Sequence, residues 1–227
     1  MRQRMAVACV CMTAWLVGTG AAFGQGTTGL VFGAGVENVF YDGVDPAEPL
    51  DFLRVIDSSV DDRSIGWTVL AEYAFSPWLA AGVGFEDGSK VTLDQRFALA
   101  EEPEVTFDVA DGFFEPSVFD LHVAPTWPIS DRVQLFGVIG VARWEAKSGN
   151  TFLASVDGDE VLRIPFSQEN DRWTGIYGGG LTIWATDAIG FRARYHYVSM
   201  QQDADEGRGA VDVGMHKLAW MAVFKIG

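Results

Sequence analysis

Few side chains in this sequence are equipped for chemistry, and their spacing narrows what they could do. His196 and Ser199, in RYHYVS, supply a base and a hydroxyl, the pair that activates a nucleophile for acyl transfer. Three residues apart, they fall on opposite faces of an extended strand and meet only if a bulge turns one of them. Two acidic runs, Asp157-Gly158-Asp159-Glu160 and Asp203-Ala204-Asp205-Glu206, gather oxygen ligands of the kind divalent cations take. Neither has the full EF-hand spacing, so both read as solvated acidic loop and no metal is expected. Nothing has the pattern of a phosphate-binding loop, a zinc motif or a Ser/His/Asp triad, and no cofactor is expected.

A more ordered set remains. Glu37, Glu72, Glu86, Asp120, His122, Arg192, Arg194, His196 and Lys217 each interrupt a segment of apolar and small residues. An isolated ion in such a setting is costly unless it is paired. The four acids can be matched by the bases of the last third of the chain, so an interior salt-bridge network is expected. Packing and strand register are its preferred role over a proton or ion path.

The elements that would position these groups are strands. From residue 28 onward, short segments alternate large apolar with small or polar residues at period two, near 28 to 40, 64 to 76, 78 to 87, 116 to 127, 132 to 145, 172 to 185, 188 to 199 and 212 to 226. No helix is expected. Their connections alternate in length: tight turns at 75 to 78, 128 to 131 and 185 to 187, and long connections at 42 to 62, 86 to 116, 145 to 172 and 201 to 212. The long connections hold 26 of the chain's 31 acids and 7 of its 16 bases. Sorting acids to one end of the strands has no purpose in a soluble β-domain, whereas a membrane barrel with long loops on one side would do it.

On the segment 188 to 199, Ile189, Phe191, Ala193, Tyr195 and Tyr197 share one face while Arg192, Arg194 and His196 share the other. Segments 64 to 76, 78 to 87 and 116 to 127 repeat the scheme, with Glu72, Glu86, Asp120 and His122 on the second face among Gly and Ala. A soluble sandwich or lipocalin-like barrel would alternate equally well. Small residues, though, suit a narrow interior better than a solvated sheet. Trp78, Trp127 and Trp184 beside the short turns and Trp67, Trp144 and Trp173 at the opposite strand ends make two interface girdles. The expected fold is therefore all-β: an eight-stranded antiparallel up-and-down transmembrane barrel whose interior holds only its own side chains.

Residues 1 to 24, with Arg2 and Arg4 before an apolar stretch and a small-residue end, read as a signal peptide, leaving 25 to 227 as the barrel domain. The apolar core falls short of the roughly 20 residues a spanning helix needs. Both cysteines, Cys9 and Cys11, lie in this leader, so no disulfide is expected in the mature chain. The net charge of -15 excludes a nucleic-acid partner.

The stretch IYGGGLTIWATDAIGFRARYHYV and the stretch DLHVAPTWPISDRVQLFGVIGVARWEA, which runs from Asp120 to Ala146, resemble paired strands of the outer-membrane protein A and X type of eight-stranded barrel. In that family a Gly-rich strand, a Thr-Asp turn and an aromatic/Arg strand recur. The resemblance implies a bacterial outer-membrane location, periplasmic short turns and long loops outside the cell. It also implies outer-membrane lipid, lipopolysaccharide and the barrel assembly machinery as partners. Two departures stand out: the chain ends on Ile226 and Gly227 where the family usually has a final aromatic, and no peptidoglycan-binding domain follows the eighth strand. The leading expectation is a non-enzymatic surface protein, for envelope integrity or for adhesion through an extracellular ligand held by the acidic loops. The alternatives are a lipid A deacylase-like enzyme using His196 and Ser199, a small-solute pore, and a soluble periplasmic ligand-binding β-barrel.

Overall fold

The structure is a computed structural model that describes residues 28–42, 52–88, 90–202 and 211–227. The leader, with Cys9 and Cys11, and the run from Asp203 to Glu206 lie outside the described residues. Ten strands follow in order: β1 (Gly29–Asp42), β2 (Leu53–Val60), β3 (Arg63–Ser76), β4 (Leu79–Asp87), β5 (Val91–Leu99), β6 (Val105–Pro128), β7 (Val133–Val156), β8 (Asp159–Trp184), β9 (Ile189–Gln202) and β10 (Val211–Ile226). Eight of them close a ring, β1-β3-β4-β6-β7-β8-β9-β10, with antiparallel pairing throughout. Closure is made by the first and last strands, from Leu30 opposite Ile226 to Asp42 opposite Gly214. No helix occurs among the described residues.

The short-turn end follows from local side-chain chemistry. Ser76, Ser130 and Thr186 each turn a hydroxyl onto backbone N–H groups a few residues on: Ser76 Oγ accepts from Trp78 at 3.2 Å, Ser130 Oγ from Val133 at 3.2 Å, Thr186 Oγ1 from Ile189 at 2.9 Å. These hydroxyl turns reverse the chain tightly and fix register.

The opposite end differs from the sequence expectation. The described residues of the stretches 42 to 62, 86 to 116 and 145 to 172, expected as long loops, are largely strand. β6 and β7 run 24 residues each and β8 runs 26, more than twice the roughly 9–11 residues that cross a bilayer. β6 changes partner on the way: its Ser117–Pro125 portion pairs with β4 and its Thr106–Phe114 portion with β5, and β2 adds to β5. A five-stranded sheet, β2-β5-β6-β7-β8, thus stands on the barrel rim. The run Asp157-Gly158-Asp159-Glu160 is its tip: Val156 faces Asp159, and Asp157 and Gly158 take φ of 54° and 87°. Asp-Gly in the left-handed region is the two-residue hairpin turn that matches strand twist. No group of His, Cys, Asp and Glu able to hold a metal occurs among the described residues.

The barrel is apolar outside and polar inside. Ile139, Trp127 and Phe191 are 61%, 52% and 48% exposed on the outer surface, while charged side chains fill the interior. A soluble barrel, whose apolar faces would close on each other, has the reverse arrangement, and that alternative is excluded.

Candidate functional site

Alternation places every charged residue of the expected network on the inward face, and all nine are buried. They form two layers. In the lower layer Arg192 Nη1 donates to Glu72 Oε2 at 2.6 Å and its Nε to Thr182 Oγ1 at 3.0 Å. Glu72 Oε1 lies 3.0 Å from His122 Nε2, the other ring nitrogen of His122 meets Asp120 Oδ1, and Asp120 Oδ2 accepts from Arg194 Nη2 at 3.3 Å. In the upper layer Lys217 Nζ donates to Glu86 Oε2 at 2.7 Å and to Glu37 Oε1 at 3.4 Å, and His196 Nε2 lies 3.0 Å from Glu86 Oε2. Six strands supply the charged groups, β1, β3, β4, β6, β9 and β10, and β8 adds Thr182.

Packing explains how the ions fit. A Cβ on Gly84 of β4 would stand 2.2 Å from Asp120 Oδ2, so only glycine at that position lets Asp120 turn inward beside it. The Arg192 guanidinium also lies 4.7 Å from the centre of the Phe136 ring, a cation–π contact in a site without bulk water. Thr182 and Phe136, which sequence reading left out, join the network because they share strand parity with the charged residues across β7, β8 and β9.

Apolar clusters bound the charges at both ends. Toward the rim sheet, Trp144 packs with Val39, Val118, Ile176 and Met200; toward the short turns, Trp184 packs with Leu70, Met221 and Val223. These two tryptophans correct the expected girdles. Both occupy even-numbered positions whose neighbours, such as Ala142 and Thr182, turn inward, and they are 3% and 8% exposed. The Trp184 indole N–H donates to Gln134 Oε1 at 3.0 Å inside the barrel. Trp67, Trp78, Trp127 and Trp173 do lie on the outer surface, 44% to 60% exposed.

The pair that the alternative hydrolase reading requires does not assemble. His196 is fully buried against Glu86, whereas Ser199 lies on the opposite face of β9. On the outer surface the ring nitrogen Nδ1 of His216 is 2.7 Å from the Tyr195 hydroxyl, and its ring packs on Tyr197 with centroids 4.9 Å apart. Farther out, on the rim sheet, Arg96 is bonded to Asp108, a hydrogen bond that holds the guanidinium pKa above its ordinary value.

The OmpA-like transmembrane domain model matches residues 26–223. The chain belongs to that family. As an OmpA-like barrel it is a bacterial outer-membrane protein. Three solved structures of outer-membrane proteins are similar to it. Neisserial surface protein A is 10% identical with a TM-score of 0.54, covering 87% of this chain and 97% of its own. The Yersinia pestis attachment invasion locus protein Ail is 16% identical with a TM-score of 0.46, covering 87% and 99%. OprG of Pseudomonas aeruginosa is 12% identical with a TM-score of 0.46, covering 88% and 96%. At 10% identity the likeness to neisserial surface protein A is one of fold alone. No functionally curated protein matches the chain in sequence.

Proposed function

We infer that this OmpA-like barrel is a non-enzymatic surface protein: a closed membrane anchor that displays the rim sheet outside the cell for interaction or adhesion. The observation that carries the reading is the closed interior beneath an elaborated rim. Two ion-pair layers between two apolar clusters fill the lumen, which favours packing over passage, while 24- to 26-residue strands extend one end far beyond what anchoring needs. In this reading residues 1 to 24 are cleaved as a signal peptide, the assembly machinery inserts the barrel with its short turns in the periplasm, and the acidic rim faces the medium. Trp67, Trp78, Trp127 and Trp173 sit at the two lipid interfaces, next to lipopolysaccharide on the outer side.

The test uses whole cells and isolated outer membranes. The protein should change gel mobility on boiling in detergent, and protease added to intact cells should clip the rim and leave a protected barrel fragment. Steady single-channel conductance in planar bilayers, or a rim resistant on cells yet cleaved in spheroplasts, would overturn the closed, outward-facing assignment.

A further inference from the structure

The rim sheet carries a cleft of about 320 Å³ on the face that continues the barrel interior upward. Its wall crosses four strands in register: Leu93 of β5, Phe114 of β6, Ser148 and Asn150 of β7, and Phe166 and Gln168 of β8. Phe114 floors it, packing on the apolar cluster below and meeting the Tyr41 ring edge-on with centroids 5.9 Å apart. Phe166 stands at its rim with 57% of its surface exposed. The Gln168 amide is held in place by donating to Asn170 Oδ1 at 2.9 Å.

The composition of this wall is unusual for its setting. The rim is crowded with acids, among them Asp94, Asp108, Asp111, Glu115 and Glu169, yet none of the residues lining the cleft is charged. What the wall offers is aromatic and aliphatic surface, two carboxamides that both donate and accept, and hydroxyls. An anionic ligand would meet the negative field of the surrounding carboxylates, which the single Lys90 ammonium, 4.8 Å from the centre of the lining Phe113 ring, only partly offsets. A cation would find no carboxylate within the cleft. An aliphatic ligand would take the Asn150 amide and the Ser148 hydroxyl out of water without replacing their hydrogen bonds. A ligand with C–H groups on one face and hydroxyls around its edge satisfies all of these constraints: the C–H face stacks on an aromatic ring and the hydroxyls pair with the amides.

We propose that this cleft binds a pyranose ring of a neutral saccharide, making the rim sheet a glycan-recognising surface. The proposal rests on the outward-facing reading only for where the saccharide comes from. Binding itself is read on the whole mature chain refolded in detergent micelles, so it stands or falls separately from the protease result on cells.

Saturation-transfer NMR and calorimetry with maltotriose and with a neutral outer-core oligosaccharide of lipopolysaccharide provide the test, with a sulfated disaccharide as charged control. Transfer to ring protons of a neutral saccharide, with binding weakened at least about tenfold by Phe166→Ala and by Asn150→Ala/Gln168→Ala, is the expected result. Glu169→Gln, outside the cleft, should leave binding unchanged, and the heat-shifted gel band should show that every variant is folded. Binding of the core oligosaccharide alone would assign the site to neighbouring lipopolysaccharide, and binding of maltotriose too would assign it to free glycans. No transfer from either neutral saccharide at about 10 mM, well above the millimolar range of weak sites, would overturn the proposal. So would equal binding by the variants, or stronger binding of the sulfated control.

Discussion

Replacing Lys217 by Met tests whether the lumen charges act as one coupled unit. The ammonium bridges Glu86 at 2.7 Å and Glu37 at 3.4 Å, and all three side chains are fully buried. At an effective dielectric constant of about 20, the two attractions amount to about 11 kcal/mol gross. The variant recovers the several kcal/mol spent in desolvating the ammonium, and a net loss of about 3–5 kcal/mol remains, the usual cost of leaving a buried charge unpaired. With a urea slope of about 1–3 kcal/mol per molar, the unfolding midpoint should fall by roughly 2 M. The assay is urea unfolding in lipid vesicles, read by tryptophan emission and by loss of the heat-modifiable band. A second variant, Glu37→Gln/Lys217→Met, removes one of the stranded carboxylates and should recover about 1–3 kcal/mol, the range of coupling between residues in one network. A Lys217→Met protein within about 1 kcal/mol of the parent, well below the buried-pair cost, would refute the coupling. A double variant no more stable than the single would refute it too.

Other expectations follow from the packing. Gly84→Ala should push Asp120 off Arg194 and destabilise the barrel by about 1–3 kcal/mol, as overpacking does, seen as a lower urea midpoint. Gly158→Val, forced into a left-handed turn, should cost about 1–3 kcal/mol locally, so that amide exchange rises in the β7–β8 tip while the barrel melts as before. In single-tryptophan proteins, brominated lipid should quench Trp127 and Trp173 and spare the inward Trp144 and Trp184. In planar bilayers the parent should hold no steady conductance, because Trp144 and Trp184 belong to apolar clusters on either side of the charged layers.

Period-two alternation was enough to read the barrel, because lipid outside and a narrow interior impose different residues on successive positions. The same parity assigned Glu72, Glu86, Asp120, His122, Arg192, Arg194 and His196 to one face before any distance was known. Trp144 and Trp184 were misread because nearness to a strand end was weighed without parity. The rim strands were misread for another reason. VTLDQRFAL of β5 alternates as a strand should, but the acids around it have the density of a solvated loop. Acids are tolerated on a strand whose side chains face water. Likewise, Asp157-Gly158 carries one of the strongest hairpin signals in sequence, obscured by reading the run with its neighbouring acids as solvated loop. The cleft was not legible at all, since Leu93, Phe114, Asn150 and Phe166 come together only through pairing across four strands.

The ion pairs of the lumen join positions far apart along the chain: Lys217 to Glu37 across 180 residues, Lys217 to Glu86 across 131, Arg192 to Glu72 across 120. Contacts of such separation repay their loop-closure entropy only when nearly the whole chain has been placed. Until β10 meets β1, Glu37 and Glu86 lack their ammonium partner, and an incomplete barrel holds unneutralised carboxylates in its interior. The charges therefore act as a check on completeness, penalising every partly built sheet and rewarding only the closed ring. A chain cut short before Lys217 would lose more than part of a strand; it would lose the ammonium that neutralises Glu37 and Glu86 when the ring closes.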